Sequence, residues 1–522
     1  MGIGEAMKKK NKTILFVLIV IGVITLCLTY KNKNEVAKTK RKGHSNLAII
    51  IKDANGKETN SNDIPKGNYK INEEKTHCEN NGKVLNYDNT SGKISFSFIG
   101  SDRCYLYFDV IIDTEKPVIK NLNVSGTTVM ATLTDDQGLS GYGFSTSNTL
   151  EPTSWRTISG TSYSLSTTIT TEGTYYLWVK DGAGNKAVSD VIDLERKGLK
   201  TILANNTVNS TTPNFSSAST TNEGLYKAVD DLGTSYYFRG AVNNNWVKFG
   251  KDSSENDIYW RIIRINGDGS IRMIYSGTTA PTSSTATVMT GTGTQISTSA
   301  FNSSRDKAEY VGYMYALEQQ HGNGTSSGVK TTIDNWYKTT TLETDSTTKA
   351  LVSQDQIFCN DRSASSTQTA AWTSTGATYS YGARGRLYSY RKPILTCPTD
   401  SDKFTSNKGS IGNKALTYPV GLITADEVAM AGGKYGTNNS SYYLYTNQSY
   451  WSGSPYYFYS GDSAYDFIVS SYGDFVAGTV YSAYGVRPVV SLSFKAKLSG
   501  SGTYNDVYTV SSDWRTLLIK PR

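Results

Sequence analysis

Histidine is nearly absent: three in 522 residues, at His44, His77 and His321. Cysteine is almost as rare, with five, and there is no CxxC spacing and no cysteine after Cys397. These two shortages remove the usual material for zinc centres and for nucleophile–base pairs. We expect no metal, no cofactor and no catalytic residue. The adjacent carboxylates Asp426 and Glu427 are better explained by the helix start they occupy. Positive charge is also scarcer than the formal net of +8 suggests. Residues 1–46 carry ten Lys or Arg against two Glu, which accounts for the whole excess. The remaining chain is neutral, so no domain-wide field exists to steer it onto phosphates, and nucleic-acid binding is not expected.

Only one long apolar run is present, Ile14 to Leu28, behind Lys8, Lys9, Lys10 and Lys12. An uncharged stretch over 13–30 is at the short end of a membrane span, and its basic flank favours the cytoplasmic side. This predicts a cytoplasmic tail at 1–12, a single transmembrane helix at 13–30 and a basic stalk at 31–46. Everything beyond would lie outside the cell membrane. A lipid-modified Cys27 is the rival, with Leu26 where a small residue would be wanted. Outside the cell, Cys78/Cys104 and Cys359/Cys397 are expected as disulfides.

What is abundant is Gly (47), Tyr (37), Ser, Thr and Asn, which suits β-rich folding with polar loops. Residues 47–113 alternate in short runs and predict a small, disulfide-stapled β domain. Residues 114–196 place strands at regular spacing between Gly/Asp/Asn turns, with Asp135, Asp136 and Asp181 as turn residues, and predict a β-sandwich. Residues 197–223 read as a Ser/Thr/Asn linker. From 224 to 522 the pattern changes to mixed α and β. A hairpin is predicted around Asn266-Gly-Asp-Gly, and helices over Tyr310–Gln320 and Ser327–Lys338. A third helix is predicted from Thr424, opened by a Thr-x-x-Glu capping box and closed at Gly432-Gly433.

"DTEKPVI" and "GTYYLWVKDGAGN" in 114–196 resemble the bacterial immunoglobulin-like domains repeated in surface proteins, which usually act as spacers. Over 224–522, "YYFRG", "WRIIRINGDGSIRMIY", "FCNDRS", "YPVGLITADEVAMAGG", "YWSGSP" and "YGVRPVVSL" resemble a family of Gram-positive surface domains. That family is similar to the C-type-lectin-like fold shared with formylglycine-generating enzymes, through Trp451, Ser454, Pro455, Gly485, Val486, Arg487 and Pro488. The resemblance implies a multidomain chain: a membrane helix, immunoglobulin-like β modules and a mixed α+β C-type-lectin-like head. The chain departs from both known chemistries. It lacks the C-terminal cysteine pair of those enzymes, and the Glu-Pro-Asn or Gln-Pro-Asp loop of calcium-dependent lectins.

The stretch from Tyr442 to Tyr484 carries the strongest functional signal. Tyr, Ser, Gly and Asp dominate it, the composition of adaptable binding surfaces. In the resembling fold this region often forms the ligand face. The expected ligand-binding residues are Tyr450, Trp451, Tyr456, Tyr457, Tyr459, Asp462, Tyr465, Tyr472, Tyr481 and Tyr484. The expected function is a membrane-anchored surface binding protein for an extracellular glycan or protein. The alternatives are an extracellular enzyme with altered chemistry, marked by a deep pocket beside Arg487, and a self-associating envelope protein.

Overall fold

The computed structural model describes residues 46–97, 102–125, 127–169, 171–460 and 463–512. The expected transmembrane helix, cytoplasmic tail and nearly all of the stalk lie outside them. Among the described residues no helix is long and apolar enough to cross a membrane. The chain separates into two units, Met1–Glu115 and Lys116–Arg522.

In the first unit, Asn46–Lys52 runs parallel to Arg103–Val110, with Glu58–Ser61 and Tyr69–Ile71 on the outer edges. Period-two alternation in Arg103–Val110 turns Cys104, Leu106 and Phe108 inward onto Ile49. Four buried residues make a thin core. The Cys78–Cys104 disulfide joins directly opposed strand residues and closes a 26-residue separation. A loop of that length contributes roughly 3–4 kcal/mol, which offsets the small core.

The second unit begins with two antiparallel sheets around one core. Val118–Ser125, Thr128–Thr134 and Ser162–Thr168 form one sheet. Leu139–Ser145, Thr174–Asp181 and short flanking strands form the other. Val129, Leu133, Leu139, Leu177 and Val179 fill the space between. Asp135 and Asp181 are turn residues: the Oδ1 of each accepts two backbone N–H groups in its own loop.

Residues 197–223 are not an open linker. Lys197–Asn205 forms a helix that buries Leu199 and Ile202 in the core of the following domain. The one-sided spacing of its apolar residues is a helical signal, masked in the sequence by the Ser/Thr/Asn run behind it.

The fold-class expectation requires correction. The chain is mostly β-sheet, and the C-terminal domain is not an even mixture of α and β. Its longest helix is Gly328–Tyr337, ten residues, capped by Ser327. Over the predicted helix Tyr310–Gln320 the chain makes only a single turn, Ala308–Val311, and a two-residue strand, Met314–Tyr315. Gly312 is extended, with φ −75° and ψ 125°, and Glu318 has φ 60°, so neither continues a helix. The capping box at Thr424 and Glu427 is present and opens a short helix, Ala425–Met430.

Two large sheets and two small two-stranded ones are seen among the described residues of this domain. The first has nine strands, including the hairpin Asp257–Ile265 with Ile271–Gly277, closed by an Asn266–Ser270 turn. The second has six, with Tyr450–Tyr459 at its centre between Ser463–Val469 on one side and Tyr379–Ser380 and Ala483–Val486 on the other. Ile271–Gly277 pairs with Val489–Leu492, which brings the C-terminal strands back onto the hairpin.

Candidate functional site

Among its described residues the domain buries six arginines: Arg239, Arg261, Arg264, Arg272, Arg362 and Arg487. A guanidinium out of water needs acceptors for its donors, and each of these has carbonyl or carboxylate partners, although Arg272 Nε meets Glu427 as an ion pair without a hydrogen bond. Arg487, expected to flank a deep pocket, is buried. Its Nε and Nη2 donate to Tyr275 O and its Nη1 to Leu444 O. It ties the Ile271–Gly277 strand to the chain at Leu444. Arg261 donates to Val242 O, Thr287 O and Asn245 Oδ1 with no carboxylate, and burial lowers its pKa to about 9. Arg362 holds Asp402, which also lies 3.0 Å from His321 Nδ1. That accounts for the domain's one histidine.

The densest charged cluster is Arg264, Arg272 and Arg386 with Asp230, Asp361, Asp426 and Glu427. It surrounds a cavity of about 30 Å³, room for a water or two and too small for an organic ligand. Its charges pair with one another, so it reads as a structural core.

The tyrosines of 442–484 divide sharply. Tyr450 and Trp451 are fully buried, which corrects their assignment as ligand residues. Tyr450 Oη donates to Leu444 O, and Trp451 Nε1 donates to Ser299 O. Trp451 packs edge-on against Phe301 and Tyr484. Asp462 lies outside the described residues. Tyr472 and Tyr481 are exposed on two other turns, Tyr472 at the far end of the sheet from Tyr459.

Tyr456, Tyr457, Tyr459 and Tyr465 do converge, because the central strand is bulged. Pro455 pairs with Asp466 and Tyr457 with Tyr465, so Tyr456 is an extra residue in the ladder. A bulge redirects side chains, and here it brings the adjacent rings of Tyr456 and Tyr457 to 5.8 Å. Tyr457 lies 5.7 Å from Tyr465 and 6.1 Å from Tyr459, at tilts of 35° and 48°. Tyr459 is 52% exposed. Behind them Tyr456 stacks on Tyr435 with hydroxyls 3.0 Å apart, and Tyr388 meets Tyr435 edge-on.

Arg384 stands over this group. Its guanidinium carbon is 5.3 Å from the Tyr388 ring, 5.4 Å from Tyr456 and 5.6 Å from Tyr457, within cation–π range. Its one hydrogen bond among the described residues goes from Nη1 to Ser380 Oγ, and its Nε has no acceptor. No carboxylate pairs with it among the described residues, unlike Arg386 two positions on, which holds Asp361 and Asp426.

The wall carrying Arg384 is built stiffly. The Cys359–Cys397 disulfide closes the loop that contains it, a constraint of about 4 kcal/mol. A π-helical turn over Gly385–Tyr390 follows, a form common at functional sites. A Cβ on Gly382 would collide with Asp361, and one on Gly385 with Ser365. Sequence reasoning missed Arg384, Tyr388 and Tyr435. The signal was the Gly-Ala-Arg-Gly-Arg run at 382–386, where two glycines among arginines mark close backbone approach.

Asp466, under the bulge, is fully buried, and neither carboxylate oxygen has a hydrogen-bond partner among the described residues. Burial pushes its pKa well above the usual range, and the Arg362 charge offsets only part of that. A carboxyl raised in this way gives its full stability below its unfolded pKa of about 3.9 and loses it as pH rises toward the folded pKa. We expect Asp466→Asn to remove a slope of about 1.4 kcal/mol per pH unit and to raise stability at pH 7. Urea midpoints at pH 5 and pH 7 would check this; equal slopes for variant and wild type would contradict it.

No protein-family profile, curated protein or solved structure matches the chain.

Proposed function

We propose that this chain is an extracytoplasmic binding protein whose ligand sits on the bulged tyrosine face of its C-terminal domain. The observation that carries the reading is a run of rings, Tyr459 and Tyr465 against Tyr457, that continues to Tyr388 and Tyr456 through an arginine with no carboxylate partner among the described residues. Tyrosine gives large, rigid, amphipathic contact area at low entropic cost, and hot spots of recognition favour Tyr and Arg. Two disulfides in separate parts of the chain support an oxidising compartment. The neutral charge beyond residue 46 argues against a polyanion held by bulk electrostatics.

The test is capture of the whole chain on an array of glycans and extracellular proteins, beside a Tyr457→Ala/Tyr459→Ala variant and a Tyr472→Ala control. Loss of capture by roughly tenfold or more in the double variant alone is expected, from two lost aromatic contacts. Capture that survives the double variant and falls in the control would refute the placement.

A further inference from the structure

Resting on that reading, we propose that the tyrosine face takes an anionic saccharide, with Arg384 receiving its carboxylate or sulfate. The buried arginines of the domain are held by carboxylates or carbonyl oxygens, Arg272 through its ion pair with Glu427 and the Leu422 carbonyl. Arg384 is the departure: part-exposed, with one side-chain hydrogen bond, to a serine hydroxyl, and no carboxylate partner among the described residues. A guanidinium in this condition gains most from an oxyanion, which makes a shorter and stronger hydrogen bond than a neutral acceptor. The three tyrosine rings around it stabilise the cation by their faces and cannot neutralise it.

The shape of the face favours a sugar. Tyr457, Tyr459 and Tyr465 form an open ridge of rings on two paired strands. A pyranose lays its C–H face, the electropositive side of the contact, on the negative face of such a ring. Sugar hydroxyls would meet the polar border, where the exposed Ser460 follows the ridge.

The experiment measures binding of the whole chain to three probes: a uronate oligosaccharide, a sulfated oligosaccharide and the carboxyl-reduced, neutral form of the first. Wild type is set beside Arg384→Gln, Arg384→Lys and Tyr459→Ala, each checked for an unchanged melting transition. At least roughly tenfold weaker binding is expected for the neutral probe and for Arg384→Gln. Arg384→Lys should recover part of the loss, and affinity should fall with salt. The two charged probes separate carboxylate from sulfate as the preferred group. Equal binding of neutral and charged probes, lost in Tyr459→Ala, would overturn this inference and leave the tyrosine face standing. Binding of none of the three probes would overturn it as well. Charged-probe binding that ignores both Arg384→Gln and Tyr459→Ala would overturn this inference and the site together.

Discussion

Glu427→Gln is expected to destabilise the C-terminal domain by about 3–5 kcal/mol, the range for breaking a buried ion pair from one side. Glu427 Oε1 lies 2.9 Å from Arg264 Nε and 2.6 Å from Arg272 Nε, and all three side chains are buried. Oε2 accepts the Thr424 N–H and completes the capping box. Burial alone would raise this carboxyl; Arg272 and Arg264 outweigh it and hold it below the ordinary range. Arg264 keeps Asp230 at 2.5 Å after the substitution. Arg272 keeps only the carbonyls of Ile357 and Leu422 and the face of Phe358. The penalty therefore falls on Arg272, and Arg272→Met in the Glu427→Gln background should recover part of it, which a double-mutant cycle in urea would measure. The depressed pKa adds a pH signature. Stability from Glu427 is complete above its unfolded pKa of about 4.3 and disappears as pH falls through the lower folded value, so the variant should lack that acid limb.

Trp451→Ala is expected to lose a similar amount, about 3–5 kcal/mol, by opening a cavity in the core. The ring is fully buried against Phe301 and Tyr484, and its Nε1–H is satisfied by Ser299 O. The same substitution should leave ligand affinity of the folded fraction within about twofold, because Trp451 is not on the open face. Thermal unfolding and binding measured on one preparation would separate the two effects. Lost affinity at full stability would return Trp451 to the surface.

These two residues show what was legible from sequence. Short-range chemistry read well: the Asn266–Ser270 turn and the Thr424/Glu427 box each depend on residues within a few positions of one another. Both disulfides followed from counting cysteines in a chain without metal spacing. The tyrosine stretch was visible as composition, but its facing was not. Period two assigns alternate residues to one side, and the irregular pairing between Trp451 and Tyr457 breaks that period twice. Tyr456 and Tyr457 thus meet, while Tyr450 and Trp451 turn inward. Arg384 was illegible for another reason. It lies about 70 positions from Tyr457 and reaches it through the Tyr379–Ser380 strand that pairs with Tyr457 and Phe458, a contact no local pattern encodes. The helix expected over Tyr310–Gln320 failed because its apolar and aromatic residues serve a buried turn.

The most direct measurement is oxidative footprinting of tyrosines in the whole chain, with and without the strongest ligand from the array. The account expects protection at Tyr388 (43% exposed) and Tyr459 (52%), and none at Tyr472 (67%) at the opposite end of the sheet. Protection at Tyr472, with Tyr388 and Tyr459 labelled as in the free chain, would contradict it.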